Sequence, residues 1–237
     1  MGNYIGFSCL KKITVKAKKY MKKELAVSVV SSILCITTGV AQTNKPNVVI
    51  IMTDQQRADL CGREGFPMAV TPFADSLALS NVWFDKAYTV APASMRFPTA
   101  THVRTNHNTP DMYYKKDMLE VFKEQGYKTA LVGKNHAHVK AKDFDYCEEY
   151  FHWGKNRRDT QEDKDFAFFL NNKARGQYLE ATPFPSDAQN PVKIVTKALA
   201  WAKEQKDSAF FMWVSMPEPH NPYQISEPYY SMFSPEK

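Results

Sequence analysis

The sequence predicts an α/β domain with a mostly parallel central sheet flanked by helices, and three observations carry that expectation. Stretches 47–53, 127–133 and 209–216 are apolar runs rich in β-branched or aromatic residues, with little of the polar alternation of a half-exposed strand. Each has a segment of helical periodicity before or after it. Each also ends in polar residues, which places one chemically active edge at the carboxyl ends of the strands. An apolar content of 43% with 13% aromatics over 237 residues supports a sizeable core and one domain.

Taken in order, the chain opens on a basic leader. Met21-Lys22-Lys23, the apolar stretch 25–40 and then Val40-Ala41-Gln42 follow the grammar of a secretory signal, with residues 1–20 as an upstream extension. The stretch is too short and too polar for a stable membrane span, so the expected location is periplasmic or extracellular. Seven lysines before Leu25 against the single acid Glu24 account for the whole net charge of +6. The remainder is balanced, which excludes a basic groove for nucleic acid. After export only Cys61 and Cys147 remain, compatible with one disulfide or none.

The first strand delivers Asp54 and Gln55 onto a turn. Helix 72–80 follows, with Thr71 as its expected cap and Pro72 at the first position. Residues 82–88 read as a second strand, and 115–125 as an amphipathic helix ended by Gly126. Strand 127–133 delivers Lys134, His136 and His138. Between 143 and 187 the chain is aromatic and charged with weak periodicity, the pattern of loops and short helices. Helix 192–206 leads to strand 209–216, which ends in Pro217-Glu218-Pro219-His220-Asn221-Pro222-Tyr223.

Several of these residues suggest chemistry by type alone. Asp54 and Gln55 offer adjacent oxygen ligands at a strand end, a set suited to a hard cation such as calcium rather than zinc, although an aspartate there can also simply cap its own turn. His136 and His138 alternate as zinc ligands can, and as structural histidines more often do. Arg157 and Arg158 could meet an acidic sugar or remain solvated loop charges.

The turn Thr53-Asp54-Gln55-Gln56-Arg57, the run Phe84-Asp85-Lys86-Ala87-Tyr88, Gly133-Lys134-Asn135-His136 and Pro219-His220-Asn221-Pro222-Tyr223 together resemble the sulfatase family of the alkaline phosphatase superfamily. Their family counterparts are a TDQQR turn, FxNAY, GKWH and PHxPY, in the same order. The resemblance implies a sulfuric ester hydrolase acting on sulfate esters, in particular those of a sulfated glycan. It implies Ca2+ held by Asp54, Gln55 and the nucleophile, Lys134 on the sulfate, His136 bonded to the nucleophile, and His220 beside the sulfate and its leaving oxygen.

The family nucleophile is a Cys or Ser in C/S-x-P-x-R that a maturase converts to formylglycine, whose hydrated aldehyde attacks sulfur. Counting from Phe84 places Ser94 there. Arg96 then stands where the family has Pro, and Pro98 where it has Arg, so Arg96 is the candidate substitute cation. The family pattern also continues beyond the position of Lys237 to a strand bearing further calcium ligands. The expected organisation is therefore a leader over 1–41 and, over 42–237, the N-terminal portion of a catalytic domain. Two other functions fit the same motifs: phosphodiester or phosphonate ester hydrolysis, and an inactive protein that binds sulfated ligands.

Overall fold

The computed structural model describes residues 45–88, 102–103, 112–113, 115–137, 139–151, 160–172 and 176–233. The leader, Ser94, Arg96, His138, Arg157 and Arg158 lie outside the described residues. Four strands build the main sheet: β1 (Val48–Thr53), β4 (Lys128–Gly133), β5 (Tyr146–Glu149) and β7 (Phe210–Met216). They lie in the order β1-β7-β4-β5, and every pair is parallel. Two short ribbons accompany it, β2 (His102–Val103) with β3 (Met112–Tyr113), and β6 (Gln177–Ala181) with β8 (Tyr223–Ile225). The described helices are α1 (Pro72–Ser80), α2 (Met118–Glu124), α3 (Gln161–Asn172) and α4 (Asn190–Glu204).

Strand alternation sorts the core into two layers. Phe210, Met212 and Val214 of β7 join Ala130 and Val132 of β4 against Ile194, Ala198 and Trp201 of α4. Phe211 and Trp213 point the other way, with Leu131, onto Leu119 of α2 and onto Val139 and Phe144. The Phe122 ring of α2 stacks on Phe211 at 4.3 Å between centroids. The expected parallel α/β architecture is thus present, with β7 and β4 covered on both faces. β1 is covered on one: Val48, Ile50 and Met52 pack inward, whereas Val49 is 45% exposed and Ile51 68%. α4 packs on β7 and β4, which leaves that second face of β1 largely open among the described residues.

Three local expectations change. Residues 82–88 form an irregular segment with a turn at 85–86 instead of a strand, with Val82, Phe84 and Tyr88 exposed. A strand exists by pairing, and no described segment pairs with them. Thr71 stands at the N-cap of α1 but makes no side-chain capping bond; its hydroxyl donates to the Asp75 carboxylate and accepts the Gly62 N–H, tying the helix to the loop after β1. The stretch 143–187 holds the edge strand β5 and the twelve-residue α3. A reciprocal capping box starts α3: Asp163 N–H donates to Thr160 Oγ1 at 3.0 Å, and Thr160 N–H to the Asp163 carboxylate at 2.9 Å. Phe166, Ala167 and Leu170 are the residues it buries.

The boundaries of the other helices follow their caps. α2 begins after Asp117, whose carboxylate accepts from Glu120 N–H at 2.8 Å while Glu120 returns the bond to Asp117 N–H. Gly126 closes it at φ 76°. Cys61 and Cys147 are free thiols. Burial, with Glu149 and Glu148 nearby, pushes the Cys147 thiol up to about 12 and keeps it protonated.

Candidate functional site

The order β1-β7-β4 sets three strand ends side by side, and each end carries one of the expected motifs. Asp54 follows β1, Glu218 and His220 follow β7, and Lys134 and His136 follow β4. Backbone bonds fix the relation between them. Asp54 N–H donates to Glu218 O at 3.2 Å, and Lys134 N–H donates to Ser215 O at 2.7 Å. The chain can approach so closely because residue 133 is glycine at φ 117°. A Cβ there would fall 1.8 Å from Ser215 O.

That approach brings Lys134 to Asp54. Their side chains form an ion pair between positions 80 residues apart, with only 9% and 16% of the two side chains exposed. A buried ammonium held by one carboxylate is a fixed positive charge in a poorly solvated place, the setting in which electrostatic attraction is strongest.

Gln55 takes a left-handed backbone at φ 58°, turning the chain sharply after Asp54 and leaving its side chain exposed. Thr53 Oγ1 donates to Gln56 Oε1 at 2.8 Å and steadies the same turn. His136 is exposed two residues beyond Lys134. His220 is buried, its N–H donating to Pro217 O at 3.2 Å. Its Nδ1 lies 2.7 Å from Asn221 O. A carbonyl only accepts, so Nδ1 carries the proton, and Nε2 is the nitrogen at which a proton can be gained or lost.

Glu218 was not among the residues singled out for chemistry. Burial pushes its carboxyl up to about 7; the Asp54 charge acts in the same direction, and a hydrogen bond from Asn190 Nδ2 at 3.1 Å opposes it. Its second oxygen, Oε2, is buried without a partner. The signal available in the sequence was position alone: an acid two residues before His220, at the end of an apolar strand.

Hard oxygen donors at Asp54 and Gln55 fit calcium in kind. They do not fit it in number, because calcium takes roughly six to eight oxygens. Among the described residues no three His, Cys, Asp or Glu side chains gather as a metal site. Any calcium site here needs oxygens beyond those two residues.

The chain is similar to several known proteins. The chain is 29% identical over 218 residues to an ulvan-active sulfatase of Formosa agariphila, covering 82% of this chain and 40% of that protein. It is 23% identical over 229 residues to an arylsulfatase of Clostridium perfringens, covering 81% of this chain and 47% of that one. It therefore spans less than half the length of these two relatives. In fold it is similar to the phosphonate monoester hydrolase of Agrobacterium radiobacter, with a TM-score of 0.57 at 20% identity, over 81% of this chain and 45% of the other. The profile of the sulfatase family matches residues 46–237, from just ahead of β1 to the last residue, and the chain belongs to that family.

Proposed function

We propose that this chain carries part of the catalytic domain of an exported sulfuric ester hydrolase acting on sulfate esters of a glycan. The supporting observation is the Lys134–Asp54 ion pair across the ends of β4 and β1, with His220 following the strand between them. A sulfate ester presents anionic oxygens, and the buried Lys134 ammonium supplies fixed charge to meet them. Hydrolysis breaks the ester S–O bond, adds a water-derived oxygen to sulfur and returns a proton to the leaving alcohol. His220 Nε2 is placed to handle that proton, since Nδ1 is tied to Asn221 O. His136, exposed after β4, would orient the nucleophile.

Formylglycine at Ser94, produced by a maturase, would supply the nucleophile, and Ca2+ would draw two of its oxygen ligands from Asp54 and Gln55. The glycan substrate is supported by the ulvan-active relative, and export by the signal-like grammar of residues 21–42. Among the described residues no helix is long and apolar enough to cross a membrane.

One observation favours a second reading, a protein that binds sulfated ligands without turnover. Arg96 and Pro98 occupy each other's expected places after Ser94, which weakens both the maturation signal and the catalytic cation.

Expression of the complete gene with a maturase and calcium, followed by a peptide mass map and assays on an aryl sulfate and an aryl phosphonate, separates these readings. A Ser94 peptide lighter by two hydrogens together with sulfate release supports the hydrolase. Unmodified Ser94 with binding and no turnover supports the second reading, and faster release from the phosphonate overturns the sulfate assignment.

A further inference from the structure

Beside His220 a cleft of about 570 Å³ runs between the β6–β8 ribbon and the start of α4. That volume lies within the range of small-molecule sites, roughly 300–1,000 Å³. Four tyrosines line it: Tyr178, Tyr223, Tyr229 and Tyr230. Tyr223, Tyr229 and Tyr230 are 55%, 51% and 41% exposed and Tyr178 is half-buried, and the structure around them is braced. Tyr230 Oη donates to Leu179 O at 2.8 Å, linking the chain after β8 to β6. Tyr178 meets the Phe169 ring edge-on at 5.2 Å between centroids. Ser186 Oγ donates to Glu227 O at 2.9 Å and closes the far wall.

Polar side chains stand between the rings. Gln224 Nε2 donates to Gln189 Oε1 at 2.7 Å, while Gln189 Nε2 and Gln224 Oε1 are buried without partners. Two residues of the wall thus hold one buried donor and one buried acceptor left unpaired, at a cost in stability. Apart from Glu218, no Asp, Glu, Lys or Arg is among the lining residues. Among the described residues the cleft therefore offers aromatic faces and amide groups, with His220 as its one basic side chain.

We infer that this cleft is a subsite for one neutral pyranose ring, the uncharged part of the leaving group, stacked on the tyrosines next to His220. The inference rests on the sulfate ester reading and sharpens it. Carbohydrate rings have apolar C–H faces that suit tyrosine and edge hydroxyls that suit glutamine. A ring carrying a second sulfate or a carboxylate would bring that charge toward Glu218, and the one basic side chain among the described lining residues, His220, is already engaged at the leaving oxygen. The subsite consequently selects for a single sulfate, held at Lys134, with the rest of that ring neutral.

The test uses the complete gene product and three probes: inorganic sulfate, a monosulfated pyranoside and its desulfated parent. Saturation-transfer NMR should show the desulfated sugar in contact with tyrosine protons. Tyr229→Ala and Tyr223→Ala should each weaken sugar binding about fivefold to tenfold, in line with the worth of one aromatic contact. Tyr223→Phe, which keeps the ring, should retain affinity and checks that the fold survives. Inorganic sulfate should bind all variants alike.

Sugar affinity unchanged by both alanine variants overturns the subsite, as does tyrosine-dependent binding of phenol with none of the pyranose. A disulfated pyranoside bound more tightly than the monosulfated one, with the gain lost in Tyr229→Ala, overturns the charge selection. Tyrosine-dependent sugar binding with no sulfate binding leaves the subsite standing and sinks the sulfate ester reading instead.

Discussion

β7 and β1 are paired neighbours and both mostly apolar, yet they live in different environments. Phe210 to Val214 are buried on both faces of the sheet, while alternate residues of β1 are open. The difference does not lie in the strands themselves. α4 packs across β7 and β4, and among the described residues its reach ends there. An apolar run therefore reports that a strand can be buried; the neighbouring layer decides whether it is. The same contrast divides the site. Lys134 is buried where β4 ends and Glu218 is half-buried past the end of β7, whereas Gln55, just past β1, is exposed.

The sharpest way to break the buried half is Gly133→Ala. The added Cβ meets Ser215 O in a backbone region that L side chains rarely adopt, so β4 must move away from β7. A loss on the order of 3 kcal/mol is expected, with a fall in melting temperature of roughly 10 °C for a domain of this size. Lys134 should separate from Asp54 along with it, which removes sulfate affinity. Gly65→Ala is the control, because Gly65 has positive φ with open space around it and should lose far less. Equal losses at the two positions would show that the contact with Ser215 is unimportant.

Glu218 extends the comparison to pH. Its carboxyl is raised from an ordinary 4.5 to about 7, so between those values the native state holds more proton than the unfolded chain. Its contribution to stability is fully present below about 4.5 and is lost as pH rises through about 7. The span corresponds to at most about 3 kcal/mol. Denaturant midpoints at pH 5 and pH 8 should fall less in Glu218→Gln than in the parent. Equal falls would mean that the carboxyl is solvated.

These residues also show how far sequence alone could reach. β7 and β4 were legible because an unbroken apolar run has few alternatives, and Asp54, Lys134 and His220 because each ends such a run. Residues 82–88 misled because apolar content carries no information about a pairing partner. α3 was obscured by its charge, although Thr160 and Asp163 already spelled its capping box. Glu218 and the tyrosine cleft were hidden for a different reason. Each depends on segments brought together by folding: Asn190 with Glu218, and Tyr230 with Leu179.

The smallest expected effects give the finest test of the opening contrast, because Ile51 and Val214 are partners in one row of the sheet. Side chains of paired parallel residues emerge on the same face, so both point toward the α4 side. Val214 is 4% exposed there and Ile51 is 68% exposed. Val214→Thr keeps the shape and buries a hydroxyl, at a cost of roughly 1–3 kcal/mol if it finds no acceptor. Ile51→Thr keeps β-branching on an open face, and the expected change is within about 0.5 kcal/mol. Urea midpoints of the two variants in this 237-residue chain measure the difference directly. If Ile51→Thr costs as much as Val214→Thr, the face of β1 is covered in solution, and burial on that side extends past α4.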